Sequence, residues 1–92
     1  MLTTETIKER VAPIAKRYDV TRVDLFGSYA NGTATSKSDV DFLIEFAPES
    51  EPSLLTLGGF WEELKRSLGV GVDVVQLPLP NRLVIEKTVR IV

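Results

Sequence analysis

The sequence predicts an α/β (α+β) fold, a small mixed three-stranded sheet backed by helices on one face with its other face left partly open. Three observations predict it. Apolar residues recur at helical spacing in two separate stretches. Short runs rich in Val, Ile and Phe lie between and after them. One of those runs alternates strictly, the mark of a strand with one buried face. The resulting order is helix, strand, strand, helix, strand, helix, without repeat or linker. The 92 residues give room for a single domain spanning 1–92.

Residues 4–18 read as the first helix, with Ile7, Val11, Ile14 and Tyr18 on one face. Thr3 or Thr4 can cap it, and Glu5 suits its positive end. Pro13 removes a backbone donor and crowds the preceding turn, so a kink or break is expected there. Val20–Phe26 reads as a strand ended by Gly27, Ser28–Gly32 as a turn or single helical turn, and Thr33–Ser38 as a polar loop. Asp39–Phe46 is the alternating strand. Val40, Phe42, Ile44 and Phe46 fall on one face, and Asp39, Asp41, Leu43 and Glu45 on the other.

Ala47–Ser53 reads as a surface loop. Leu54–Leu68 reads as the second helix, with Leu57, Trp61, Leu64 and Leu68 in one stripe and Gly69 as its stop. Gly58-Gly59 disfavours that helix by about 1 kcal/mol per glycine relative to alanine. Val70–Leu77 reads as a third strand and Pro78–Pro80 as a turn. Asn81 is placed to cap a last short helix through Arg90.

Composition narrows the chemistry. The chain is 43% hydrophobic and 26% charged, as an ordinary globule is. Its net charge of −2 is unlike a basic nucleic-acid-binding domain, so no direct nucleic-acid partner is expected. It has neither cysteine nor histidine. That removes disulfides, zinc sites and Ser-His or Cys-His nucleophile pairs, and leaves carboxylates, hydroxyls, Lys, Arg and backbone. There is no apolar run of the ~20 residues that cross a membrane, and no signal-peptide pattern. A cytoplasmic protein is expected.

Three carboxylates carry the chemistry. Asp39 and Asp41 project from one strand face, about 6.5–7 Å apart along the chain. Like charges so placed repel unless a cation lies between them. Asp73 sits inside the apolar run Gly71-Val72-Asp73-Val74-Val75, where a lone carboxylate is costly to bury. With the third strand beside the second, Asp73 joins the pair. Three oxygen donors favour Mg²⁺ or Mn²⁺. Two such ions about 3.5–4 Å apart suit in-line phosphoryl displacement. Upstream, Gly27-Ser28 ends a strand and opens a turn whose backbone donors and hydroxyl can bind a phosphate. Residues 27–34 have P-loop glycine spacing but lack its Lys and Ser/Thr, and residues 39–44 start like a calcium loop and then fail it.

Leu25-Phe26-Gly27-Ser28, ten residues, Asp39-Val40-Asp41, and then Val72-Asp73-Val74-Val75 resembles the nucleotidyltransferase superfamily that includes DNA polymerase beta. Within it the chain is similar to the minimal nucleotidyltransferases, antitoxin partners of HEPN-domain toxins. The resemblance runs from about Ile7 to Val92. It implies the nucleotidyltransferase fold, with Gly27 and Ser28 on the β- and γ-phosphates of ATP. It implies that Asp39 and Asp41 bind two Mg²⁺ ions, and that Asp73 ligates the ion activating the acceptor hydroxyl. Relatives often carry a basic residue near positions 29 and 31, where this chain has Tyr29 and Asn31. Lys37 is the cation that can compensate.

The activity so implied is transfer of AMP from ATP to a tyrosine hydroxyl of a HEPN toxin, within a hetero-oligomer. The alternative is a binding antitoxin that acts by occlusion, docking through Phe60, Trp61, Leu83, Val84, Ile91 and Val92. Three converging carboxylates favour the enzyme, because a pure binder has no need of them.

Overall fold

Helix α1, Thr4–Arg17, begins where Thr3 leaves the extended region and its hydroxyl accepts a hydrogen bond from the Thr6 amide at 3.1 Å. This cap fills one orphan donor of the first turn. Ile7, Val11 and Ile14 are buried along one face, on both sides of Pro13. The helix runs through Pro13 without the expected break. Packing of both halves on one core outweighs the ~3 kcal/mol that an internal proline costs. The computed structural model describes residues 2–78, 85 and 87–92.

Strand β1, Val20–Phe26, leads through Gly27 into the one-turn helix α2, Ser28–Asn31. Strand β2, Val40–Phe46, starts one residue later than expected, so Asp39 stands just before it. Helix α3, Leu54–Leu68, is capped by the Ser53 hydroxyl on the Thr56 amide at 3.1 Å and stopped by left-handed Gly69. Strand β3 is Val72–Gln76.

The sheet has four strands rather than three, in the order β3-β2-β1-β4. The fourth, β4, is Val89–Arg90, where a helix through Arg90 was expected. Leu25 and Asp24 pair with Val89 and Arg90, and Ile91 donates to the Val23 carbonyl at 2.9 Å. This covers backbone groups that β1 would otherwise leave unpaired at an edge. The Asn81 cap and the start of that expected helix lie outside the described residues. β2 is antiparallel to β1 and parallel to β3, so the sheet is mixed, as expected.

The core fills the helical face of the sheet. Val23, Leu25, Val40, Phe42 and Ile44 meet Ile7, Val11, Phe60 and Leu64, all at 0% exposure. Two residues of the expected occlusion surface therefore belong to the core, since Phe60 is fully buried and Ile91 is 3% exposed. Trp61 and Val92 pack partly buried against that core, while Leu83 and Val84 lie outside the described residues. Tyr18 meets Phe60 edge-to-face at 5.6 Å, a favourable aromatic geometry. Arg17 on α1 reaches Glu63 on α3 at 2.7 Å. On β1, Asp24 is only 1% exposed, and Arg22 pairs with both of its oxygens, at 3.3 and 3.0 Å. That fork compensates a charge that would be costly alone.

Candidate active site

The parallel register of β2 and β3 places Asp41 opposite Asp73, and the antiparallel register of β1 and β2 places Phe26 opposite Asp41. Gly27, the residue after Phe26, thus arrives beside the same carboxylate. Its φ of 68° and ψ of −144° lie in a region open to glycine and strained for other residues. A Cβ at Gly27 would also fall on the Asp41 carboxylate. Close approach of backbone to the Asp41 carboxylate makes this position a glycine. Ser28 follows as the first residue of α2, half-buried, with Asn31 donating back to the Gly27 carbonyl at 2.9 Å.

Asp39 is held from a different direction. The Val40 amide donates to the Gly71 carbonyl at 2.9 Å, tying the start of β2 to the residue before β3. The Asp39 carboxylate occupies the space a Cβ on Gly71 would need. Gly71 is a site residue that the sequence pattern did not single out. Its signal was a glycine two residues before the strand aspartate, but its role depends on strand register.

Asp39 and Asp73 are exposed and Asp41 is half-buried. Burial pushes the Asp41 carboxyl up to about 6 from the usual 3.8. A hydrogen bond with Asp73 raises it further, as do the negative charges of Asp73 and Asp39. Among the described residues, no three acidic side chains close in as a ready-made cation cage. The donor chemistry still fits a hard divalent cation. The ligands are all oxygen, and the raised Asp41 pKa marks negative charge without a counter-charge. The structure brings Gly27, Asp41 and Asp73 together, sets Asp39 beside them against Gly71, and leaves Lys37 exposed in the loop that leads to Asp39.

Residues 5–91 match the family model described as nucleotidyltransferase domain. A Thermococcus cleftensis protein, protein adenylyltransferase MntA, is 39% identical over 79 residues, covering 82% of this chain and 78% of its own. A solved structure provisionally named a minimal nucleotidyltransferase superposes with a TM-score of 0.71 at 34% identity. That match covers 88% of this chain and 85% of the other. The antitoxin fold is matched as well. The structure of a tri-AMPylated Shewanella oneidensis HEPN toxin with its MNT antitoxin gives a TM-score of 0.70 at 14% identity, covering 98% of this chain and 72% of the other. With the family model spanning nearly the whole chain and relatives above 30% identity on either side of it, the chain belongs to the nucleotidyltransferase domain family, among its minimal nucleotidyltransferases.

Proposed function

We propose that the chain is a magnesium-dependent protein adenylyltransferase that transfers AMP from ATP to a tyrosine of a HEPN-domain toxin and so acts as its antitoxin. The observation that carries this reading is the pairing of Asp41 with Asp73, with Gly27 packed against Asp41. The same reading treats residues 1–92 as one nucleotidyltransferase unit in a cytoplasmic hetero-oligomer, with a protein rather than a nucleic acid as acceptor. Among the described residues, no helix is long and apolar enough to cross a membrane.

In the reaction, the acceptor oxygen attacks the α-phosphorus of ATP. The bond from that phosphorus to the α–β bridging oxygen breaks, pyrophosphate leaves, and the acceptor loses its proton. Gly27 gives the β- and γ-phosphates a close approach to backbone, and the Ser28 hydroxyl can donate to them. Asp39, Asp41 and Asp73 would hold Mg²⁺, two ions in this family's usual arrangement, which when bound offset charge on the phosphates. Asp73 is exposed on the sheet's outer strand, which supports a role beside the acceptor. It orients the hydroxyl and accepts its proton.

The test is incubation of the pure chain with its HEPN partner and ATP labelled at the α-phosphate, with and without EDTA. Label on the partner that EDTA abolishes is the expected result. Tight partner binding without any label would instead favour occlusion.

A further inference from the structure

The backbone of β3 bonds to β2 on one side only. The Val40 amide donates to the Gly71 carbonyl at 2.9 Å, and the Leu77 amide donates to the Ile44 carbonyl at 2.8 Å. With Val40 opposite Val72 and Ile44 opposite Gln76, residues 71, 73, 75 and 77 turn their backbone groups toward β2. Val72, Val74 and Gln76 therefore turn theirs outward. The Trp61 indole N–H donates to the Val72 carbonyl at 2.7 Å and bears out that direction. Past this contact β3 ends the sheet, and among the described residues no further strand pairs with Val74 or Gln76. A groove of about 360 Å³ adjoins the same edge, with Leu54, Leu57, Gly58, Trp61 and Val74 in its lining. It lies on the helical face, since Val74 stands opposite the buried Phe42. Its mouth is apolar, with Leu54 88% exposed and Leu55 86% exposed. A Cβ at Gly58 would meet nothing within 4 Å, so the fold itself does not require this mid-helix glycine.

We propose that this edge docks an extended segment of the partner protein as an added strand, its backbone paired with Val74 and Gln76 and an apolar side chain seated in the groove over Gly58. The inference rests on the antitoxin reading and adds how the partner is held. In strand addition, main-chain hydrogen bonds hold the segment and pockets select its alternate side chains. Unpaired edge groups and an apolar pocket beside them supply both parts here. Side chains of the segment that alternate with the apolar one fall on the opposite face, the face of Asp73 and Asp41, where a neutral or basic residue is favoured over an acidic one. A second copy of the chain is the poorer occupant. Pairing the edge with itself about Val74 brings two Asp73 carboxylates onto one face without a counter-charge, and needs the Val72 carbonyl that Trp61 already holds. A partner segment meets neither obstacle, and its apolar residues cover Leu54 and Leu55.

The experiment is residue-resolved amide hydrogen exchange on the free chain and on its complex with the HEPN-domain partner, with partner Kd measured for wild type and variants. Exchange at Val74 and Gln76 should slow at least tenfold on binding, and exchange at Asp73 and Val75, whose amides already face β2, should change less. Gln76→Pro removes an outward N–H and spares the bonds to β2, and Gly58→Leu fills the groove. Each should raise partner Kd at least tenfold and leave ATP affinity unchanged. Leu54→Asp, on a side chain outside the core, makes the same test should either variant misfold. A complex in which Val74 and Gln76 exchange as in the free chain, or folded variants with wild-type Kd, would overturn the proposal. Slow exchange of these two amides in the free chain that is lost on dilution would also overturn it, by assigning the edge to a second copy. Failure of the wild type to bind the partner refutes the antitoxin reading and this proposal together. A wild type that binds but transfers no AMP refutes the catalytic reading alone, and the edge is then judged by exchange and Kd.

Discussion

Asp41 and Asp73 stand opposite each other on adjacent parallel strands, and burial, followed by the hydrogen bond and negative charge of Asp73, pushes the Asp41 carboxyl up to about 6. The strain on this pair gives a direct handle on the proposed site, because a substitution that relieves it also removes a proposed metal ligand.

Asp41→Asn should abolish AMP transfer and make the metal-free protein more stable near neutral pH. The sign follows from the direction of the shift. The folded-state pKa is raised, so the folded protein holds a proton that the unfolded chain releases. Asp41's contribution to stability is therefore greatest below about pH 3.8 and falls as pH rises through about 6. The advantage of Asp41→Asn over wild type should be near zero at about pH 4 and grow toward pH 7. Adding ATP and Mg²⁺ should shrink it by stabilising the wild type. Melting curves across that range check the sign, and a variant advantage that is flat with pH would refute it.

Gly71→Ala should damage the site more than the fold. The new Cβ displaces the Asp39 carboxylate, which is exposed and can turn away at little cost to the core. Misplacing a ligand group by about 1 Å is enough to cost roughly a hundredfold in rate. Gly69→Ala is the control. Gly69 has a φ of 71° and an open Cβ position, so alanine there should lose about 1 kcal/mol of stability and leave transfer intact. Rates and melting temperatures of the two variants should thus move in opposite order.

The adjacent glycines of α3 should also separate. Gly58→Ala should stabilise the protein by about 0.5–1 kcal/mol, the usual gain in a helix interior. Gly59→Ala should lose that gain or reverse it, because the added methyl must push the Tyr18 ring away from its edge-to-face contact with Phe60. Urea unfolding of the pair measures the difference.

Much of this architecture was legible in the residues themselves. The alternation from Val40 to Phe46 reports a strand, although Leu43, on the face expected to be open, is also buried at 5% exposure. The run of Gly27-Ser28, Asp39, Asp41 and Asp73 names the polar cluster before any strand is paired. What was not legible depended on tertiary register. β4 has two residues, too few for a periodic signal, and forms because β1 offers it an open edge. Pro13 was expected to kink or break α1, and with both halves packed on the core the helix continues through it without a break. Gly71 gains its role only once β2 and β3 pair and bring Asp39 against it. Likewise Phe60, a candidate docking residue by composition, turns out to face the core.

The central claim is that Asp73 serves AMP transfer to a partner tyrosine, and intact-mass measurement of the HEPN partner tests it most directly. The partner is incubated with ATP and Mg²⁺ together with either wild-type chain or Asp73→Asn. Because Asp73 is exposed, the variant should fold and bind the partner as wild type does. The prediction is AMP adducts on tyrosine with the wild type and at least a hundredfold fewer with Asp73→Asn. Equal adduct formation by the two proteins, or none with the wild type, would contradict it.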